Sequence, residues 1–96
     1  MRSVLLIAYD IACAKRWRKV YELMQGHGDP VQYSVFRCEL SKVELQILRE
    51  RLWPILHLGE DRVMIADLGP VDGRGATSLQ QWGVARQAGQ PGPRIV

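Results

Sequence analysis

The sequence is poor in the residues that build metal clusters and disulfide frameworks. It has two cysteines, Cys13 and Cys38, which form no CxxC pair, and two isolated histidines, His27 and His57. A zinc site needs several such ligands at short spacing, so none is supported. The lack of a cysteine framework is typical of a reducing compartment, and we expect a cytoplasmic location.

The sequence also lacks a long hydrophobic run. After Met1-Arg2-Ser3 only five or six apolar residues follow before the chain turns polar. Such a run is too short for the apolar region of a signal peptide or for a membrane span. We therefore expect no membrane partner.

The size and composition indicate one small folded domain. The chain has 96 residues, of which 47% are hydrophobic, enough to build a core. A domain of this size buries a modest fraction of its surface, so a partner subunit would help to stabilise it. The formal net charge of +3 is too small to indicate a function by itself.

The distribution of charge is more informative than the sum. Cations fill four of the five positions in residues 15–19, and they are Lys15, Arg16, Arg18 and Lys19. The only acidic residue before Glu22 is Asp10. Composition leaves two interpretations open, a phosphate-binding surface or a solvated helix face.

Hydrophobic patterns predict the first half of the fold. Residues 3–10 begin with a continuous apolar run, typical of a central strand. Residues 13–26 predict a helix whose apolar stripe is made of Trp17, Val20, Tyr21 and Met24. Residues 31–40 alternate, which predicts either one bent strand or two short ones.

The second half begins with a clear helix signal. Ser41 followed by Glu44 predicts a capping box, and Pro54 should end this helix near Trp53. Residues 62–68 predict another central strand, and residues 77–84 a short strand around Leu79 and Trp82. We place the domain at residues 1–87, and a linker with a terminal strand at 88–96.

This order of elements predicts the fold class. Strand, helix, one or two strands, helix and strand within 96 residues are matched most simply by an α+β, ferredoxin-like βαββαβ sandwich. We expect one extra strand at the carboxyl end.

Three segments stand in an order that resembles a known family. They are the strand ending in Tyr9-Asp10-Ile11, the helix with Lys15-Arg16-Trp17-Arg18-Lys19-Val20, and Gln32-Tyr33-Ser34-Val35-Phe36-Arg37-Cys38-Glu39-Leu40. Together they resemble the CRISPR-associated endoribonuclease family, the smaller of two near-universal spacer-acquisition proteins. The resemblance covers about residues 3–69 and is weak after residue 70.

The resemblance implies a ferredoxin-like fold and a two-fold dimer. It also implies that the last strand of each subunit crosses to the sheet of its partner. Ile95 and Val96 lie beyond a Pro/Gly-rich linker, where an exchanged strand could form. A frayed terminus is the alternative.

Asp10 is the central candidate for chemistry. One carboxylate is a poor Mg²⁺ site, but a two-fold axis would bring a second Asp10 close, and the pair with waters could hold the ion. In the resembled family the matching Asp is the proposed metal ligand. The alternative is that Asp10 caps the following helix.

The resemblance implies roles for other residues. Residues that match Tyr9 and Phe36 have been implicated in cleavage, although core packing is the other interpretation for both. The cations of residues 15–19 would contact phosphates without reading bases. The family often has Arg at the position of Trp17, and here the aromatic ring is expected to pack.

These observations lead to two hypotheses about function and to one alternative. The first is a CRISPR-adaptation subunit that binds the duplex DNA backbone as a homodimer and bridges copies of the CRISPR integrase. The second is a Mg²⁺-dependent endonuclease acting on RNA or DNA through paired Asp10 residues. The alternative is a toxin-like endoribonuclease of the virulence-associated type.

Overall fold

The computed structural model describes residues 1–83. Its elements are β1 (Ser3–Asp10), α1 (Ala14–Gln25), β2 (Gly28–Gln32), β3 (Val35–Leu40), α2 (Lys42–Leu52), β4 (Arg62–Pro70) and α3 (Gly75–Ser78). The expected domain end at residue 87, the linker and the terminal strand with Ile95 and Val96 lie outside the described residues.

The four strands form one antiparallel sheet in the order β2-β3-β1-β4. Because β1 and β2 both run antiparallel to β3, they are parallel to each other, and α1 connects them. In the same way α2 connects β3 to β4 across β1. These two interleaved units confirm the ferredoxin-like fold.

The core lies between the sheet and the two long helices. Alternate residues of β1 point into it, namely Leu5, Ile7 and Tyr9. They meet Val20 and Met24 of α1, Leu48 and Leu52 of α2, and Phe36, Cys38 and Leu40 of β3. Leu6, Ala8 and Asp10 of β1 therefore point to the opposite side of the sheet, which we call the outer face.

The predicted boundaries of α2 are confirmed. The Ser41 hydroxyl accepts a hydrogen bond of 3.1 Å from the Glu44 N–H, and the Glu44 carboxylate accepts one of 2.8 Å from the Ser41 N–H. The helix ends at Leu52, before Pro54. No helix within residues 1–83 has the length and apolar character needed to cross a membrane.

The alternating segment at residues 31–40 forms two strands. A turn at Tyr33 and Ser34 separates β2 from β3, so the two-strand interpretation is correct. Gly28 belongs to β2, because a Cβ atom there would lie 2.5 Å from both the Arg37 carbonyl oxygen and the Cys38 Sγ. Gly28 therefore allows the two strands to approach closely.

The short strand predicted at residues 77–84 is wrong for its described part. Gly75–Ser78 forms the short helix α3, and residues 79–83 form no strand. Gly69, which pairs with Val4 near the end of β4, has a φ of +107°, a backbone conformation that favours glycine. Gly75 then packs against Val4, at a distance that leaves no room for a side chain. Trp82, which the predicted strand would have contained, is 90% exposed.

Candidate functional site

Asp10 is the last residue of β1 and is exposed on the outer face of the sheet. It does not cap α1, because the residue at the cap position is Cys13. The capping interpretation of Asp10 is therefore wrong. Its carboxylate takes part in none of the four ion pairs formed within residues 1–83, so it remains open to a ligand.

Arg62 stands directly opposite Asp10. The two residues are register partners of β1 and β4, and directly opposed residues of antiparallel strands project from the same face. Arg62 is exposed. The outer face thus places a cation beside the candidate carboxylate. Sequence reasoning missed Arg62, because only the β1–β4 register brings the two residues together.

Asp61 organises the loop that follows Asp10. Its Oδ1 accepts hydrogen bonds from the Ala12 N–H at 2.9 Å and from Arg16 at 3.1 Å. Its Oδ2 accepts from Arg16 Nε at 2.7 Å and from the His57 N–H at 2.9 Å. One carboxylate therefore ties together the β1–α1 loop, helix α1 and the segment between α2 and β4.

The Asp61 carboxylate is held in its charged form. Its side chain has no exposed surface. The hydrogen bonds from Arg16, followed by those from Ala12 and His57, hold the pKa of Asp61 well below its usual range, although burial acts in the opposite direction. Nothing in the local sequence distinguishes Asp61 from a surface aspartate, so sequence reasoning missed it.

Arg16 differs from the other three predicted cations. Its guanidinium pairs with Asp61 and also with Glu60 at 3.0 Å, and only 23% of its side chain is exposed. The charge of Arg16 is thereby compensated inside the protein. A structural role for Arg16 is favoured over the phosphate contact expected from the sequence.

The remaining three cations form an exposed surface, which we call the cationic face of α1. It consists of Lys15, Arg18 and Lys19, spaced at i, i+3 and i+4 on one side of the helix. They line a shallow concavity together with Ala14 and Glu22. None of the three takes part in an ion pair within the part of the chain that the structure describes.

Tyr9 and Phe36 lie in the core. Their exposed fractions are 6% and 0%, and their rings stack with centroids 6.3 Å apart. Burial raises the pKa of the Tyr9 hydroxyl well above its usual value, and Tyr21 and Tyr33 add to the shift. Because Tyr9 and Asp10 point to opposite faces of the sheet, packing is favoured over the catalytic contact expected for Tyr9 and Phe36.

One described chain does not hold a complete metal site. No group of three or more His, Cys, Asp or Glu side chains comes together within residues 1–83. Asp10 alone supplies one carboxylate, whereas Mg²⁺ takes six oxygen ligands and keeps several waters. A Mg²⁺ site at Asp10 therefore requires ligands from outside the described chain.

Comparison with known proteins relates this arrangement to a family. The sequence model described as "CRISPR associated protein Cas2" matches residues 2–72. The CRISPR-associated endoribonuclease Cas2 of Geobacter sulfurreducens is 35% identical over 72 residues, which are 75% of this chain and 76% of that protein. The CRISPR-associated endoribonuclease Cas2 3 of Synechocystis sp. is 38% identical over 91 residues, which are 95% of this chain and 96% of that protein.

Solved structures agree with the sequence matches. The hypothetical protein TT1823 from Thermus thermophilus superposes with a TM-score of 0.74 at 33% identity, covering 92% of this chain and 99% of that one. Streptococcus pyogenes Cas2 superposes with a TM-score of 0.72 at 27% identity, covering 83% of this chain and 99% of that one. Fold and sequence lead to the same conclusion: the chain belongs to the CRISPR-associated Cas2 family.

Proposed function

We propose that this protein is a cytoplasmic CRISPR-adaptation subunit that binds the backbone of duplex DNA and bridges copies of the CRISPR integrase during spacer capture. Membership of the Cas2 family supports the adaptation role. The cationic face of α1 is the observation that carries the DNA-binding part. Binding through this face is electrostatic and falls as salt rises.

The three cations suit phosphate contact without base readout. Lys15, Arg18 and Lys19 lie within one and a half turns of the helix, and their long side chains reach outwards from one side. A helix surface of this kind follows a row of phosphates, which positions a duplex but carries no sequence information. The expected ligand is therefore duplex DNA of any sequence.

The proposed active form is a homodimer. Strand β4 lies at the edge of the described sheet, with β1 as its neighbour. It exposes two apolar side chains, Met64 at 60% and Ile65 at 49%. A long edge strand with exposed apolar residues favours association with another chain. A second copy related by a two-fold axis is the partner we propose.

Analytical ultracentrifugation tests the dimer and its assembly with the integrase. The protein alone should sediment as a dimer, and with purified integrase and duplex DNA it should enter a larger complex. As the matched pair, Met64→Lys places a charge on the exposed edge and Lys42→Ala removes a charge from α2. The first should weaken the dimer and the second should not. Sedimentation of the wild type as a monomer at all concentrations would contradict the dimer.

A second candidate function is metal-dependent cleavage of a phosphodiester. The relatives from Geobacter sulfurreducens and Synechocystis are named endoribonucleases. In a dimer, two exposed Asp10 carboxylates and waters would hold Mg²⁺, which supplies Lewis-acid polarisation of the phosphate and an activated water. The chain's own contribution would be to present Asp10 at a fixed strand end, with Arg62 beside it.

Asp10→Asn tests this second function. The variant keeps the shape of the side chain but removes its charge, so Mg²⁺-dependent cleavage of RNA or DNA should be lost while the dimer is kept. Asp72→Asn is the matched control, since Asp72 is an exposed carboxylate in the turn after β4. Unchanged cleavage by Asp10→Asn would assign any observed activity to another site or a contaminant.

The toxin-like alternative is not favoured. The family match spans residues 2–72 and includes both the Asp10 strand end and the cationic helix. A ferredoxin-like fold alone would be compatible with either function.

A further inference from the structure

We propose that the Tyr33 ring is a stacking platform for an unpaired base of a nucleic acid bound at the Asp10 end of the molecule. This inference rests on the proposed function, because it requires nucleic acid to bind at this end. It adds a ligand class, since a stacked base must come from a single-stranded segment. A fully paired duplex has no free base to offer.

Tyr33 is the outer ring of an aromatic column. The Trp17 ring stacks with both Tyr21 and Tyr33, with centroid separations of 5.0 Å and 4.1 Å. The interplanar angles are 21° and 22°, so the Trp17 ring is nearly parallel to each of its two neighbours. One side of Tyr33 is therefore covered by Trp17.

The column is fixed to the core at its inner end. The Tyr21 ring meets Phe36 edge-on, with centroids 5.4 Å apart, and Phe36 has no exposed surface. Trp17 and Tyr21 both pack against the core cluster. The Trp17 Nε1–H donates a hydrogen bond of 2.9 Å to the Ser34 hydroxyl, which fixes the middle ring to the β2–β3 turn.

The outer end of the column is open. Tyr33 lies in the turn between β2 and β3, and 38% of its surface is exposed. Trp17 stacks on one side of this ring, and no other ring stacks on Tyr33 among the described residues. A partly exposed aromatic ring that is held on one side by a stacked neighbour is suited to stack on a base at low entropic cost.

The platform lies next to the candidate catalytic strand end. The Tyr9 N–H donates a hydrogen bond of 3.0 Å to the Ser34 carbonyl oxygen, so the turn that carries Tyr33 contacts the residue before Asp10. Trp17 belongs to the same helix as the cationic face. The turn that carries Tyr33 and the strand end that carries Asp10 therefore lie at the same end of the fold, and the cationic face lies on the other side of the same helix from Trp17.

The chemistry predicts tolerance of base identity. Every base has a π face, and the stack involves no directed hydrogen bond to base edges. The alternative role for Tyr33 is stabilisation of the turn alone. In that case its ring would matter for folding and not for the binding of bases, and the two roles are separable by experiment.

The first test uses the wild-type protein and two oligonucleotides of equal charge. One is a fluorescently labelled oligothymidylate, and the other has abasic units in place of its central thymidines. The wild type should bind the first about fivefold or more tightly than the second, which is the low end for one stacked base. Equal affinities for the two would overturn the proposal without any variant.

The second test compares Tyr33→Leu with Tyr33→Phe. Leucine keeps apolar volume but removes the flat ring, and phenylalanine keeps the ring without the hydroxyl. Tyr33→Leu should lose the preference for thymidines over abasic units, whereas Tyr33→Phe should retain it. Both variants should bind a blunt DNA duplex as the wild type does. If Tyr33→Leu keeps the preference, the platform is not Tyr33.

Failure of the inference is distinguishable from failure of the proposed function. If the wild type binds a blunt duplex and abasic strands but shows no preference for bases, the backbone-binding function stands and the platform is refuted. If the wild type binds no nucleic acid in low salt, both are refuted.

Discussion

Asp61 and Arg16 are joined by two hydrogen bonds, of 2.7 and 3.1 Å, across 45 positions of sequence. The Asp61 side chain is fully covered, and the same carboxylate accepts the Ala12 N–H just after Asp10. The pair therefore fixes the start of α1 relative to β4. It also fixes the loop that leads from Asp10 to the cationic face.

Asp61→Asn should destabilise the fold. An asparagine at this position loses the charge, and its NH₂ group would face donors where the carboxylate accepted hydrogen bonds. We expect a loss of about 1–3 kcal/mol, towards the lower value because the Arg16 guanidinium stays partly exposed. Chemical denaturation measures it. Glu60→Gln, which removes the more exposed partner of Arg16, should have little effect.

The same carboxylate predicts the response of stability to acid. The folded pKa of Asp61 is depressed, so its stabilising contribution is present above the unfolded pKa of about 4 and is lost as pH falls through the folded value. The free energy of unfolding, measured against pH, should fall more steeply in acid for the wild type than for Asp61→Asn. Parallel curves for the two proteins would refute this role.

Arg62→Gln tests the cation opposite Asp10. If a phosphate binds beside Asp10, loss of this charge should weaken nucleic-acid binding and slow any Mg²⁺-dependent cleavage, while stability stays nearly unchanged because the residue is exposed. The measurement is affinity for the nucleic acid, together with cleavage rate. Arg74→Gln, in the turn before α3, is the matched control. Equal losses in both variants would mean that only net charge matters.

Local signals in the sequence predicted most of the fold. The capping box at Ser41, the stop at Pro54 and the apolar stripe of α1 are set by neighbours in the chain, and all three appear in the structure. The strand expected around Leu79 was wrong: Gly75–Ser78 forms α3, and Gly75 packs closely against both the preceding turn and Val4 of β1. Such contacts between distant residues leave no local pattern.

The candidate site was predicted in part for the same reason. Asp10 at a strand end and the exposed cations of α1 follow from the hydrophobic periodicity of single elements. The position of Arg62 opposite Asp10 could be predicted only from the register between β1 and β4, which are far apart in sequence. The pairing of Arg16 with Asp61 could not be predicted from the sequence, because these residues are 45 positions apart and no local pattern shows that they meet.

The aromatic column was likewise predictable only where it depends on residues close together in sequence. The helical spacing of Trp17 and Tyr21 predicted that both rings lie on the packed side of α1, as the structure shows. Tyr33 joins them only because the chain reverses at Ser34, and the alternating pattern of residues 31–40 did not reveal where the break falls.

The most direct test of the account is the salt dependence of duplex DNA binding. The wild type is compared with a variant in which Lys15, Arg18 and Lys19 are alanine, and with a control that loses three exposed cations of α2, Lys42, Arg49 and Arg51. We predict that the plot of log affinity against log salt becomes shallower by about 0.9 per lost phosphate contact only when the cationic face is removed. A slope equal to that of the wild type, or an equal change in the control, would contradict the account.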